Sequence, residues 1–353
     1  MWEQAARRRA RRLGTVLFAT FTLITSVAFS AHADSSSDPA HVRNMSDWLN
    51  TIGVFTPLFG AMHVVSMYAY RWQAGAYADS KKTSAHWFAS HCVSMGHAIV
   101  VTAAGLSNIA FLWHAPAAVK LGSRSQPVPV EWLSRYAFVA VTGELFTAWL
   151  TYDAVAVVCA WSVLGSWETL AHHGAFLAAS YVMRGYYMAP WQAAVCMCME
   201  ASTPFLNVCQ LKEAFGLAKD TLIVKGSFIC FALCFAVFRV LLLPSATLQL
   251  LLNFAEGPWS EVGRAPDTSF LESAPPEVPL WAGLVLAALL LAACGLMFMW
   301  FRRIVVILIA PSSAAGEGDR QSLPMTDDSD PPSPSAHAMR SFSDDEELAL
   351  VTV

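Results

Sequence analysis

Two adjacent histidines, His172 and His173, interrupt the otherwise apolar run from Trp167 to Tyr181. An imidazole can accept or release a proton near neutral pH, and it can carry an acyl group when a carboxylate orients it. Asp153 lies in the preceding apolar run and is the carboxylate expected at the same depth. Should the chain be an enzyme, we expect His172, His173 and Asp153 to be its catalytic residues.

Further ionisable side chains occur in the neighbouring apolar runs. A charge at the bilayer centre costs ~2.5–3.5 kcal/mol even on the lenient insertion scale, so several of them in one bundle imply mutual pairing or a wet cavity. With ~1.5 Å of rise per residue, they lie roughly 8–15 Å from the cytosolic face. The side chains expected to line one cavity open to that face are His63, His97, Asp153, His172, His173 and Glu200.

Two prolines bear on this cluster. Pro204 removes a backbone hydrogen bond just after Glu200, so we expect a kink there, with Ser202, Thr203 and Asn207 available to satisfy the exposed carbonyl groups. Arg239 precedes Pro244 by about one turn and is expected to fit the cluster poorly.

Three interpretations of the cluster stay open. It can perform acid–base or acyl-transfer chemistry, it can line a lipid-binding cavity without turnover, or it can be structural pairing that sets the helix register. A metal site from His and Asp or Glu would need support such as HExxH spacing, which the sequence lacks, so we expect no metal. The cysteines lie in apolar segments and are expected to be small core residues.

The elements that position these residues are transmembrane helices. Only 14% of the 353 residues are charged and 56% are hydrophobic, whereas a soluble chain has about 25% charged residues. The composition predicts an all-α polytopic membrane protein with about seven transmembrane helices, each of ~20 apolar residues. The expected spans are Thr51–Tyr70, Trp87–Trp113, Trp132–Ala160, Trp167–Tyr186, Trp191–Cys209, Leu222–Leu252 and Leu280–Ile309.

Residues 1–33 have the layout of a secretory signal peptide. A basic start precedes an apolar stretch from Leu13 to Ser30 and a small-residue site at Ala31 and Ala33. An uncleaved signal anchor is the alternative. Residues 34–50 are then a short lumenal segment, in which Asn44 is a weakly supported glycosylation acceptor.

The remaining organisation follows from charge. Residues 51–310 form the transmembrane region, and the lysines and arginines of its short loops favour a cytosolic C-terminus. Residues 311–353 are rich in Ser, Pro, Asp and Glu, so we expect a disordered cytosolic tail.

Five motifs occur in order between about residues 81 and 244. They are Val93-Ser-Met-Gly-His-Ala98, Tyr152-Asp153, His172-His173, Glu200-Ala-Ser-Thr-Pro-Phe-Leu-Asn207, and Phe238-Arg-Val240 followed by Pro244. Together they resemble the TLC-domain family of lipid proteins in the endoplasmic reticulum (ER), and the glutamate motif is most similar to its small transmembrane lipid-homeostasis branch. Ceramide synthases, more distant relatives, carry a Thr where this chain has Phe176 and a downstream His-Asp segment that this chain lacks.

The resemblance implies a TLC-type bundle with a cytosol-facing cavity in the ER or another endomembrane. From depth and resemblance together, the residues expected to line the lipid cavity are His63, Ser94, His97, Tyr152, Asp153, His172, His173, Glu200, Thr203 and Asn207. The function implied is to bind or sense a membrane lipid and support lipid homeostasis. The alternatives are acyl transfer of the ceramide synthase type, with acyl-CoA as co-substrate and no cofactor, and an ER cargo receptor.

Besides a membrane lipid, the candidate partners are a second copy of the chain in a homodimer and a cytosolic protein that binds the acidic tail. No nucleic-acid partner is expected.

Overall fold

The computed structural model describes residues 2–35, 45–74, 84–115, 119–120, 130–185, 188–212, 214–256 and 280–309. Within these ranges the chain is helical apart from short turns and contains no strand, which confirms the all-α expectation. The helices are α1 Trp2–Ser35, α2 Met45–Ala74, α3 Ala85–Leu112, α4 Val130–Cys159, α5 Trp161–Leu164, α6 Trp167–Gly185, α7 Pro190–Cys198, a 3₁₀-helix Met199–Ser202, α8 Thr203–Gln210, α9 Leu222–Cys234, a π-helix Phe235–Leu242, α10 Leu243–Glu256 and α11 Leu280–Ile309.

Four stretches are long and apolar enough to cross a membrane, judged by length and composition among the described residues. They are Leu49–Ala74, Ala85–Leu112, Leu222–Leu252 and Leu280–Ile309, and each coincides with an expected span. The other three expected spans correspond to α4, α6 and the interrupted pair α7–α8. Those spans carry Glu144, Asp153, Glu168, Arg184 and Glu200 among their ionisable residues. The chain is therefore a multi-pass, all-α membrane protein.

The chain divides into two compact units, Met1–Cys294 and Gly295–Val353. The first unit contains α1 to α10 and the start of α11, and the described part of the second unit, Gly295–Ile309, completes α11. Asn44 and the expected tail at 311–353 lie outside the described residues, so the glycosylation and tail predictions stay predictions.

Helix α1 packs along α2 and α3 within the first unit. Its Leu17, Phe21 and Thr25 side chains are buried. Gly96 of α3 permits this approach, because a Cβ atom at that position would lie 3.2 Å from the Phe21 Cβ atom. The helix continues through Ala31–Ala33, where the sequence has its signal-type cleavage pattern.

Helices α2, α3 and α4 pack on one another and form the centre of the first unit. Large side chains at helical spacing, such as Phe55 and Phe59 of α2, fill the space between them. Tyr70 of α2 stacks on Phe88 of α3 with ring centroids 4.1 Å apart. At the start of α3, Ser84 is the N-cap and its side chain accepts a hydrogen bond from the Trp87 backbone N–H, which satisfies one donor of the first turn.

The expected break beside Pro204 is present. Helix α7 ends at Cys198, the tighter 3₁₀-helix carries the chain past Glu200, and α8 begins at Thr203 with Pro204 in its first turn. A proline is tolerated there because the first turn has no helical partner for its missing N–H. A second irregularity, the π-helix around Arg239, ends just before Pro244, where the proline likewise removes the bond to the preceding turn.

Candidate functional site

Asp153 of α4 and His173 of α6 meet across the helix interface. The His173 Nε2 atom lies 3.4 Å from an Asp153 carboxylate oxygen, and both residues are buried. His173 Nδ1 has no hydrogen-bond partner among the described residues. Adjacent positions on a helix point about 100° apart, and His172 accordingly turns away and packs against Phe176, with ring centroids 4.7 Å apart. The structure thus brings one histidine of the pair to Asp153.

His97 and His173 lie against the same indole, that of Trp149 on α4. The His97 ring stacks on it with centroids 4.3 Å apart and an interplanar angle of 7°. His173 meets the same ring edge-on at 5.7 Å. His97 is fully buried, and neither of its ring nitrogens has a hydrogen-bond partner within the part of the chain that the structure describes.

A second polar group runs from Tyr152 toward the start of α3. The Tyr152 hydroxyl is hydrogen-bonded to His63 Nδ1 at 2.8 Å. His63 Nε2 is in turn 3.2 Å from His86 Nδ1. Because Tyr152 and Asp153 are neighbours on α4, this chain of hydrogen bonds begins next to the Asp153–His173 pair. Sequence reasoning did not single out His86, although its position two residues after the N-cap Ser84 puts it in the first turn of α3.

Glu200 belongs to a third group at the break between α7 and α8. Thr203 Oγ1 donates to a Glu200 carboxylate oxygen at 2.8 Å. Arg239 reaches the same carboxylate at 4.0 Å and donates from Nε to the Met199 carbonyl at 3.0 Å. The expectation that Arg239 fits this cluster poorly is therefore wrong. The Met199 carbonyl lies in the 3₁₀-helix and also accepts from Ser202 Oγ at 3.2 Å, and Arg239 reaches it from the π-helix.

The remaining expected residues are more peripheral to these groups. Asn207 donates from Nδ2 to the His91 carbonyl at 3.3 Å and so ties α8 to α3. Ser94 is half-buried on α3 and takes part in none of the hydrogen bonds above. Among the described residues, no group of three His, Cys, Asp or Glu side chains is arranged to hold a metal ion.

Sequence reasoning missed a buried ion pair nearer the other end of α4 and α6. Arg184 Nε donates to one Glu144 carboxylate oxygen at 2.8 Å, and Thr51 Oγ1 donates to the other at 2.8 Å. The Glu144 side chain is 0% exposed. The rise from Asp153 to Glu144 on α4 and from His173 to Arg184 on α6 is roughly 14–16 Å at ~1.5 Å per residue. Glu144 and Arg184 therefore lie at a similar depth, and the rotation of the two helices decides that they meet.

An apolar groove lies between α4, α6 and α7, and we name it the α4–α6–α7 groove. About 630 Å³ of non-protein space lies in and directly outside this groove, which is open on one side. The lining is apolar except for Thr147, Ser180 and Arg184. None of the ten residues expected to line a lipid cavity lines this groove. Its lining residues are Val139, Ala140, Gly143, Phe146, Thr147, Phe176, Ser180, Met183, Arg184, Met188, Pro190, Ala193, Cys196 and Met197.

The Arg184 end of this groove has the side chains typical of a membrane interface. Trp113 and Trp191 pack together there with ring centroids 5.9 Å apart. Lys120 donates from Nζ to the Trp113 carbonyl at 2.8 Å and lies 5.3 Å from the centroid of the Trp191 ring. Tryptophan and lysine concentrate where hydrocarbon meets water, so the groove runs from an interface into the bilayer.

Helices crossing a membrane around buried His, Asp and Glu side chains define a multi-pass membrane protein with a polar interior. The TLC domain family model matches residues 87–306, more than half of the chain, and the protein belongs to this family. It is 26% identical over 194 residues to TLC domain-containing protein 4 of Xenopus tropicalis, covering 52% of this chain and 66% of the relative. It is 31% identical over 158 residues to TLC domain-containing protein 4-B of Danio rerio, covering 44% of this chain and 54% of that relative. The matches thus span about half to two thirds of the length of these curated relatives.

Proposed function

We propose that this protein binds a membrane lipid in the α4–α6–α7 groove and supports lipid homeostasis in the ER or another endomembrane. The groove is the observation that carries the proposal, because it is apolar, lies within the membrane-spanning helices and begins beside Arg184 at an interface. Membership of the TLC domain family supports a role connected with membrane lipids.

The lining of the groove favours a lipid chain as the occupant. Pockets for small ligands are mostly apolar with a few placed polar groups. The groove has this character, because its lining is apolar except for Thr147, Ser180 and Arg184. A lipid of the surrounding bilayer can place a chain along Val139, Gly143 and Ser180 while its head group stays at the level of Arg184.

Gly143 offers a direct test of lipid binding in the groove. Gly143 lines the groove and a Cβ atom there would meet nothing within 4 Å, so the side chain of Gly143→Leu begins in open space and is expected to occupy the groove. Gly174 on α6 has equally open space and does not line the groove, so Gly174→Leu is the matched control. We expect native mass spectra of the full chain in mild detergent to show bound lipid for the wild type and Gly174→Leu, and at least a five-fold loss for Gly143→Leu.

Lipid homeostasis is tested in cells that express the same variants at equal levels. The wild type and Gly174→Leu should change the cell lipidome relative to cells without the protein, and Gly143→Leu should not. An absence of bound lipid from wild-type spectra, or equal lipid in all three proteins, would refute binding in the groove.

The contact between His173 and Asp153 favours a second candidate function. A histidine oriented by a carboxylate can act as a general base for N-acyl transfer from acyl-CoA to a long-chain base. The pair is 3.4 Å apart and buried, with His172 on the adjacent position. Labelled acyl-CoA and sphinganine, incubated with the purified protein, should then give ceramide. Product no higher than that of His173→Ala would remove this alternative.

A further inference from the structure

We propose that Phe146 and Phe176 close the inner end of the α4–α6–α7 groove and set how far one acyl chain can enter. This inference rests on the lipid binding proposed above and adds which end of the groove is shut, and by which side chains. It makes the two rings specificity-determining residues for chain length.

The two rings meet across the space between α4 and α6. Their centroids are 6.4 Å apart with an interplanar angle of 89°, an edge-to-face contact. Phe146 is 5% exposed and Phe176 is 6% exposed, so both are held by packing on their other sides. Edge-to-face aromatic pairs have a defined geometry, and a pair in this arrangement makes a wall that a flexible chain has to displace in order to pass.

The opposite end of the groove is its polar rim. Arg184 lies in the last turn of α6 and is paired with Glu144, and the next helix, α7, begins a few residues later at Pro190, next to Trp191. A head group is therefore accommodated at the rim, and the end of the chain points toward Phe146 and Phe176.

The distance from rim to wall is short. On α6 it is the rise from Arg184 to Phe176, and on α4 it is the rise from Val139 to Phe146, each ~11–12 Å at ~1.5 Å per residue. The hydrocarbon of one leaflet is roughly 15 Å thick, half of the ~30 Å core. A straight chain that enters beside the head group thus meets the wall before it reaches the bilayer centre. The remainder of a longer chain has to leave through the open side, where it loses contact with the lining, so chains that end at the wall are favoured.

Behind the wall lies the polar interior. The His172 ring is 4.7 Å from the Phe176 ring, and the His97 and Trp149 rings are 6.2 and 6.3 Å from the Phe146 ring. Removing the Phe176 ring extends the groove toward these side chains. The extension amounts to roughly one helical turn of ~5 Å, about four methylene units of chain.

The experiment compares the lipids that co-purify with the full chain and its variants, by native mass spectrometry followed by chain analysis of the released lipid. Phe176→Ala is expected to shift the mean bound chain by about two to four carbons toward longer chains. Phe176→Leu keeps most of the side-chain volume and should give a smaller shift in the same direction. It is the variant that decides the question if Phe176→Ala folds poorly. Phe111→Ala, on α3 and outside the groove lining, should leave chain length unchanged.

The outcomes separate the two proposals. If lipid is retained by the wild type and lost from Gly143→Leu, but its chain length is the same in both Phe176 variants, the wall is refuted and lipid binding stands. If Gly143→Leu retains as much lipid as the wild type, lipid binding in the groove itself is refuted. A longer chain in the Phe176 variants and not in Phe111→Ala supports the wall.

Discussion

His97 and His173 contact the same indole but differ in what their ring nitrogens meet. His173 has Asp153 at 3.4 Å, whereas His97 has no hydrogen-bond partner among the described residues. A buried polar group without a partner costs stability. The stacking on Trp149 explains why position 97 has an aromatic ring but not why that ring is polar, because a phenylalanine would stack equally well.

We expect His97→Phe to fold at least as well as the wild type. The change keeps the ring and removes two unsatisfied nitrogens, and volume-conserving swaps in a core usually cost less than about 1.5 kcal/mol. His97→Ala leaves a cavity and should cost about 3–5 kcal/mol, as truncation of a large ring does. Thermal unfolding midpoints in detergent measure the difference. A midpoint for His97→Phe as low as that of His97→Ala would mean that the ring nitrogens contribute to stability.

The effects of substituting Glu144 and Arg184 on stability should not be additive. Removing one partner strands a buried charge, so Glu144→Leu alone should destabilise the protein by about 3–5 kcal/mol. Glu144→Leu with Arg184→Leu removes both charges and should recover most of this loss, since apolar replacements of a buried pair are often neutral. Glu168→Leu, an exposed carboxylate in the first turn of α6, is the control. Additive effects in the double variant would contradict the pairing, and the same unfolding midpoints report them.

Among the elements, the interrupted segment α7–α8 and the π-helix contact each other. Arg239 of the π-helix donates to the Met199 carbonyl of the 3₁₀-helix before Pro204. Each irregularity lies beside a proline, and the sequence predicts the one at Pro204. Their contact is a tertiary property, because Glu200 and Arg239 are far apart in the chain.

The packing of helix α1 against α3 can be tested at Gly96. A side chain at Gly96 would press on Phe21 and on the Thr22 backbone N–H, 3.2 and 3.4 Å from the Cβ position. Gly96→Leu should therefore separate α1 from α3 and lower the unfolding midpoint by several degrees, provided that α1 stays in the mature protein. Gly60→Leu on α2 meets nothing within 4 Å at its Cβ and is the control.

The same experiment bears on the fate of residues 1–33. Intact-mass measurement of the purified chain shows directly whether α1 is present. If the mass lacks these residues and both glycine variants unfold alike, the segment is a cleaved signal peptide, and the packing of α1 on α3 does not exist in the mature protein.

At the scale of the whole molecule, the polar interior is divided into separate groups. Asp153 and His173, Tyr152 and His63, and Glu200 and Arg239 each form a contact of their own, and the groove lies beyond Phe146 and Phe176. A lipid in the groove is thus separated from the candidate catalytic pair by aromatic side chains. This arrangement favours lipid binding over acyl transfer.

Charge distribution predicts the orientation of the whole chain. The segments expected on the cytosolic side hold more Lys and Arg than the opposite loops, so the C-terminus should be cytosolic. Glycosylation acceptors placed one at a time in the loop 257–279 and in the tail 311–353 test this prediction in cells. We expect the loop to be modified and the tail to stay unmodified. Glycosylation of the tail would mean that the C-terminus is lumenal, which contradicts the predicted orientation.

The sequence by itself determined the helical class, the positions of the spans and the break at Pro204, because hydrophobic runs and prolines act locally. It also placed Asp153 and the histidine pair at a similar depth in the membrane, because the rise per residue of a helix converts residue number into depth. Which histidine meets Asp153, the contact of Arg239 with Glu200, and the Glu144–Arg184 pair were decided only by the tertiary structure. The rotation of each helix about its axis depends on packing against several neighbours at once. The groove is likewise a space between three helices, and no single helix carries a pattern for it.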